Sequence, residues 1–215
     1  MLHDIAFALT RGEVGVLVGP SGCGKTTMLR IIAGIDRDYE GAVMRPPDGR
    51  VGMVFQEPRL LPWRTVEDNV RLVAPHIEEA TLAMLFDVLE LTRHRALFPG
   101  ELSLGLARRV ALARAFAVEP ELLLLDEPFV SLDDALAARL REELTALVAN
   151  RAVTTLLVTH DVEEAVRLGD RVFLLGERPT RIVAEVPIAA PRPHRSDADI
   201  AAIRSEVVGR RDGRQ

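Results

Sequence analysis

Three features of the sequence predict an α/β fold on a mostly parallel sheet. Short apolar runs recur without polar alternation, helical periodicities lie between several of them, and one run leads directly through a glycine-rich turn into a helical pattern. Continuous apolar runs suit strands covered on both faces, and strands alternating with helices suit parallel pairing.

The expected strands are Val14 to Val18, Val51 to Phe55, Leu122 to Leu125, Val153 to Val158 and Val172 to Leu175. A helix over Thr26 to Ala33 is closed by Gly34. Another, Asp133 to Ala149, puts Leu136, Leu140, Leu144 and Leu147 on one face before Asn150. From Arg64 to about Glu119 strands give way to helical patterns. Thr65 to Asp68 opens one helix, Glu78 to Leu91 forms a second, and Leu104 to Val118 a third, with Leu106, Val110, Ala113 and Ala117 on one side. The organisation predicted is a main domain over 1–190, with a helical subdomain inserted at about 64–119, and a C-terminal tail over 191–215. The tail opens on Pro191, carries a short helix with Ile200, Ile203 and Val207 on its apolar side, and ends in residues expected to be mobile.

A length of 215 residues with 48% hydrophobic content suits one substantial core. A net charge of -5 gives no electrostatic reason to expect nucleic acid as a partner. The single cysteine, Cys23, excludes an internal disulfide framework and favours a reducing compartment. No run reaches the roughly 20 apolar residues of a spanning helix, so the chain is not expected to enter a membrane alone.

Lys25 is the only lysine in the chain, and it sits in Gly19, Pro20, Ser21, Gly22, Cys23, Gly24, Lys25, Thr26, Thr27. This stretch matches G-x-x-x-x-G-K-S/T, directly after a strand and before a helix, where glycines turn backbone N–H groups toward one concavity and the positive helix end faces a phosphate chain. A compact ammonium fits among phosphate oxygens where a planar guanidinium demands a fixed fork. Thr26 would place its hydroxyl on Mg²⁺. Cys23 occupies a free position of the motif and reads as a small residue with no chemistry of its own; because it lies beside the nucleotide, its alkylation is expected to block binding.

LLLLDEP, Leu122 to Pro128, ends a buried strand in two acids. In a phosphate-loop protein the first, Asp126, serves the metal and the second, Glu127, reaches the attacking water. His160 follows the strand ending at Val158, and Gln56 follows the strand ending at Phe55, so both are expected on the edge that carries Lys25 and Glu127.

In this order the glycine-rich loop, Gln56, LSLGL over Leu102 to Leu106, Asp126-Glu127, Ser131 to Asp133 and His160 resemble the ATP-binding subunit of ABC transporters over nearly the whole chain. FQEPRLLPWRTVEDNV and PRPHRSDADIAAIR resemble the nitrate, sulfonate and taurine importer branch. The resemblance implies a P-loop NTPase core of ABC ATPase type with a small N-terminal β portion, and ATP and Mg²⁺ as cofactors, with Gln56 serving the metal alongside Thr26 and Asp126. It also implies catalytic roles for Glu127, His160, Gln56 and Lys25, and a head-to-tail homodimer in which Ser103 and Gly105 of one copy meet the γ-phosphate held by the other. An integral-membrane permease would be driven by ATP hydrolysis, a substrate-binding protein would be served indirectly, and the chain would sit on the cytoplasmic face of the inner membrane. Independently of the family, Ser103 can cap the helix that starts at Leu104.

Two departures from the family pattern stand out. The usual signature is L-S-G-G-Q, and Leu104 and Leu106 replace its first glycine and its glutamine while Ser103 and Gly105 remain; the site is expected to work, with Leu104 adding a side chain near the nucleotide that would slow hydrolysis or modify the interface. The family also stacks adenine on an aromatic residue upstream of the phosphate loop, a position that Phe7 does not match. Either the true start lies upstream or base stacking is weak. A non-transport ABC ATPase acting as a mechanical or scaffold module is the alternative, usually marked by a long coiled-coil insert and disfavoured by the acidic charge. A P-loop small-molecule kinase would leave the signature segment and His160 unexplained.

Overall fold

The computed structural model describes residues 2–45, 49–192, 195–211 and 213. Its elements run β1 (Val14–Val18), α1 (Lys25–Ala33), β2 (Val51–Val54), α2 (Val66–Arg71), α3 (Glu79–Val88), α4 (Leu104–Ala117), β3 (Leu122–Asp126), α5 (Asp134–Arg151), β4 (Thr154–Thr159), α6 (Val162–Leu168), β5 (Arg171–Leu175), β6 (Ile182–Pro187) and α7 (Asp197–Arg211). They build a six-stranded sheet in the order β2-β3-β4-β1-β5-β6. The neighbours from β2 through β5 are parallel, and β6 returns antiparallel to β5.

The apolar runs form strands because both faces are covered. In β3, Leu123 and Leu125 face a large cluster with α4, α5 and α6, while Leu122 and Leu124 face a second cluster with Met28 and Leu29 of α1. β1 and β5 divide their side chains the same way: Val16 and Val172 lie in the first cluster, Leu17 and Phe173 in the second. Each such leucine contributes roughly 1.5–3 kcal/mol relative to exposure. Helices on both faces of the sheet leave its C-terminal edge free for loops.

Most expected elements stand within a residue or two. α3 is shorter than the expected Glu78 to Leu91, because Glu90 adopts φ 53 and breaks the helical run. Two elements escape the sequence reading, α6 and β6. The N-terminal β portion is one parallel bridge, Leu2 with Thr180, beside a bond from His3 N–H to the Thr180 carbonyl of 3.0 Å. The tail helix, α7, runs 15 residues rather than the short helix expected, because Ile200 and Val207 are buried in the main cluster and Ile203 packs against it along its length. The expectation of mobile last residues concerns 212–215, of which only 213 is described. Among the described residues no helix is long and apolar enough to cross a membrane.

Candidate active site

The loop between β1 and α1 depends on its glycines. Gly24 stands at φ 103 as the N-cap of α1, and a Cβ there would lie 3.0 Å from Leu2 Cδ2. At Gly19 a Cβ would meet that of Leu175 at 2.8 Å. Left-handed backbone and close approach together leave no room for a side chain. The first turn of α1 carries no acidic residue, so its positive end is unopposed within the helix.

Lys25 follows Gly24 and is only 5% exposed. Its ammonium donates to the carbonyls of Gly19 at 2.8 Å and Pro20 at 3.1 Å, and lies 3.5 Å from Glu127 Oε1. Glu127 stands just past the end of β3 at φ 44, its N–H held by the Val158 carbonyl of β4 at 3.0 Å. Its second oxygen, Oε2, is 3.1 Å from Nδ1 of His160. One carboxylate therefore joins the ends of three strands and meets an ammonium and an imidazole. It can orient a nucleophile or accept its proton in that setting.

Asp126 is the last residue of β3 and accepts a hydrogen bond from Thr26 Oγ1 at 3.1 Å. Burial pushes its carboxyl up from the ordinary carboxylate range, against a downward pull from the Thr26 hydroxyl. A divalent cation beside it would offset the desolvation of its charge. The hydroxyl and carboxylate are hard oxygen donors, which fits Mg²⁺. Among the described residues no cluster of three or more His, Cys, Asp or Glu could cage a metal. The donor set therefore suits an ion held jointly with substrate phosphates.

Ser21, Gly22, Gly24, Thr26, Thr27, Gln56 and Glu127 line one open cleft. Gln56 is exposed at the end of β2, as expected. Cys23 belongs to the loop, but its thiol is 3% exposed and packs in the core cluster with Leu17 and Met28. Burial of the thiol agrees with the reading of Cys23 as a small residue without chemistry of its own.

Ser103 and Gly105 are not among the residues that line the cleft. Ser103 caps α4, its Oγ accepting from Leu106 N–H at 3.3 Å. Gly105 is buried, and a Cβ there would lie 2.5 Å from Leu136 Cδ2. The two signature leucines part company, Leu106 packing on the core while Leu104 is 45% exposed. Phe7 packs against Phe173 with ring centroids 5.0 Å apart and is half-buried against the second cluster, at the border of the cleft.

Two arginines near the site were not singled out by the sequence. Arg178 donates from Nε and Nη2 to the Gly22 carbonyl at 3.1 and 2.6 Å, bracing the phosphate loop from the β5–β6 connection. Arg108 of α4 reaches the turn after Glu127. Each acts across a tertiary contact, and no local pattern separates it from the other arginines.

The ABC transporter family profile matches residues 2–130. An aliphatic sulfonates import ATP-binding protein of Pseudomonas syringae pv. tomato is 43% identical over 210 residues, covering 97% of this chain and 90% of that protein. A protein of the same description from Pseudomonas aeruginosa is 44% identical over 223 residues, with 97% and 89% covered. A dimeric bacterial ABC transporter cassette superposes with a TM-score of 0.76 at 29% identity, covering 88% of this chain and 91% of that one. A dimeric post-hydrolysis ATP-binding cassette bound to ADP and Pi gives 0.73 at 29% identity, with the same coverage.

Proposed function

The chain belongs to the ABC transporter family, and from that premise we propose that it is the ATP-hydrolysing subunit of an importer for aliphatic sulfonates or similar small anions. The observation that carries the mechanism is the Glu127 carboxylate set between Lys25 and His160. Lys25 and the N–H groups from Gly22 to Thr27 hold the phosphates of ATP. Thr26, Asp126 and Gln56 would provide oxygen for Mg²⁺, which would supply charge stabilisation to the phosphoryl oxygens. Glu127 orients the attacking water and takes its proton, and His160 contacts the γ-phosphate and steadies Glu127. Little covalent chemistry is asked of the protein; positioning and electrostatics carry the rate.

Ser103 and the first N–H groups of α4 complete the site in a second copy, arranged head to tail. Ser103 and Gly105 do not line this chain's own cleft, and the structural relatives include dimeric cassettes; both support that arrangement. The helices of residues 64–119, with exposed Trp63, Leu72 and Val73 close to Gln56 in the chain, meet an integral-membrane permease at the cytoplasmic face of the membrane. A substrate-binding protein delivers the solute to the permease. The importer names of the relatives favour this reading over a mechanical or scaffold role.

The test is MgATP hydrolysis by the purified chain across protein concentrations, with a Glu127→Gln control. A rate that rises more than linearly and vanishes in the control supports the two-copy site. Linear, Glu127-independent turnover overturns it. Uptake of a labelled alkanesulfonate, restored by the wild-type chain and not by Glu127→Gln, tests the solute.

A further inference from the structure

Arg108 and Arg109 are adjacent on α4, both 5% exposed, and they take different partners. Arg109 pairs with the carboxylates of Glu90 and Glu143. Among the described residues Arg108 meets no carboxylate. It donates from Nη1 to the Pro128 carbonyl at 2.8 Å and from Nη2 to the Val130 carbonyl at 2.6 Å. A guanidinium buried against two neutral carbonyls sacrifices solvation without a counter-ion, which bulk packing does not require.

The segment it grips begins at Glu127, φ 44, and ends at Ser131, φ 63. Left-handed backbone on side-chain-bearing residues persists only where the surroundings impose it. The segment's own bonds are long, with Val130 N–H to the Glu127 carbonyl and Leu132 N–H to the Phe129 carbonyl both at 3.3 Å. The two bonds from Arg108 are shorter and charge-assisted, and they fix the carbonyls on either side of Phe129. Five residues before Arg108 on the same helix stands Ser103, the cap of α4.

We propose that Arg108 is a positioning residue, which holds the turn after Glu127 so that its carboxylate faces Lys25 and His160, and ties that turn to Ser103 through α4. The second half rests on the head-to-tail reading: a phosphate drawing on Ser103 in one copy moves the helix that aims Glu127 in the same copy. Lysine can replace one of the two bonds and not the planar fork.

The experiment uses the full chain as Arg108→Gln and Arg108→Lys, each alone and with Glu127→Gln. MgATP affinity, steady-state and single-turnover hydrolysis, and thermal unfolding are measured. Arg108→Gln is expected to lower kcat by about tenfold or more, as a misplaced catalytic group does, with ATP affinity within about threefold of wild type and Arg108→Lys intermediate. In the Glu127→Gln background the Arg108 changes are expected to add almost nothing, because the group they aim is gone. An unchanged kcat, an equal loss in both backgrounds, or ATP affinity falling in step with kcat overturns the proposal. If Arg108→Gln does not fold, Arg108→Lys carries the same comparison. Glu127→Gln as active as wild type would overturn the assignment of Glu127 and this proposal with it, whereas a dead Glu127→Gln beside a fully active Arg108→Gln overturns this proposal alone.

Discussion

Glu127 Oε2 and His160 Nδ1 lie 3.1 Å apart although 33 residues separate them in the chain. The contact exists because β3 and β4 are parallel neighbours, with Asp126 paired to Val158, so the residues just past both strand ends emerge side by side. His160→Ala should lower kcat by about 10²-fold, within the range for losing a positioned acid–base group. ATP affinity should change little, since the phosphates are held by Lys25 and the loop. Steady-state kinetics alongside equilibrium ATP binding checks this, and a matched fall in both would place His160 in ground-state binding.

Lys25 gives the opposite split. Its buried ammonium sits as a point charge on the Gly19 and Pro20 carbonyls, a geometry that a planar guanidinium does not reproduce. Lys25→Arg is therefore not conservative. Both Lys25→Arg and Lys25→Ala should weaken ATP binding by more than about tenfold, the cost of losing one charge-assisted contact. Titration with a fluorescent ATP analogue is the direct measurement.

Cys23 should react slowly. With the thiol 3% exposed among Leu17, Met28 and Leu175, alkylation requires the loop to open. Labelling of the native chain by a maleimide should lag far behind labelling in denaturant. Cys23→Ser should keep ATPase activity while losing about 1–3 kcal/mol of stability, the cost of an unpaired buried hydroxyl.

The five parallel strands are legible in the sequence because burial on both faces leaves no polar residue inside Leu122 to Leu125 or Val14 to Val18. Their shared direction then brings Lys25, Gln56, Glu127 and His160 to one edge without any further information. β6 lacks that signal: an edge strand, it exposes Val183 and closes with a proline. α6, at seven residues, is too short to establish a period. The turn at Glu90 carries none of the glycine or asparagine that usually marks left-handed backbone. Arg108 and Arg178 bind carbonyls distant in the chain, so their roles exist only once the sheet has formed.

Glu164 carries a pH dependence of stability. Its carboxylate accepts from Thr159 Oγ1 at 2.7 Å, and burial pushes its pKa above the ordinary value despite that hydroxyl. A carboxyl raised in the folded state binds protons more tightly there than in the unfolded chain, so its charged form opposes folding at neutral pH. Glu164→Gln, which can still accept from Thr159, should unfold at a higher temperature than wild type at pH 7–8. The gain should shrink as pH falls through the folded pKa and wild-type Glu164 takes up its proton. Melting curves at three pH values decide it, and a gain that grows on acidification would contradict the burial argument.

The two signature leucines should separate interface from stability. Leu106 faces the core between α4 and its neighbours, whereas Leu104 projects at 45% exposure beside Ser103. Leu106→Gln restores the family's usual residue but puts an amide against apolar packing, and should cost about 1–3 kcal/mol of stability. Leu104→Gly also restores the usual residue and removes only exposed surface, at about 1 kcal/mol of helix propensity or less in the first turn. If the exposed Leu104 side chain props the two copies apart, Leu104→Gly should raise the specific ATPase rate most at low protein concentration, where association limits turnover. Rate against concentration for wild type and Leu104→Gly makes the comparison. Curves that differ by one constant factor at every concentration would place the effect of Leu104 in the chemical step, and coincident curves would leave the signature indifferent to that side chain.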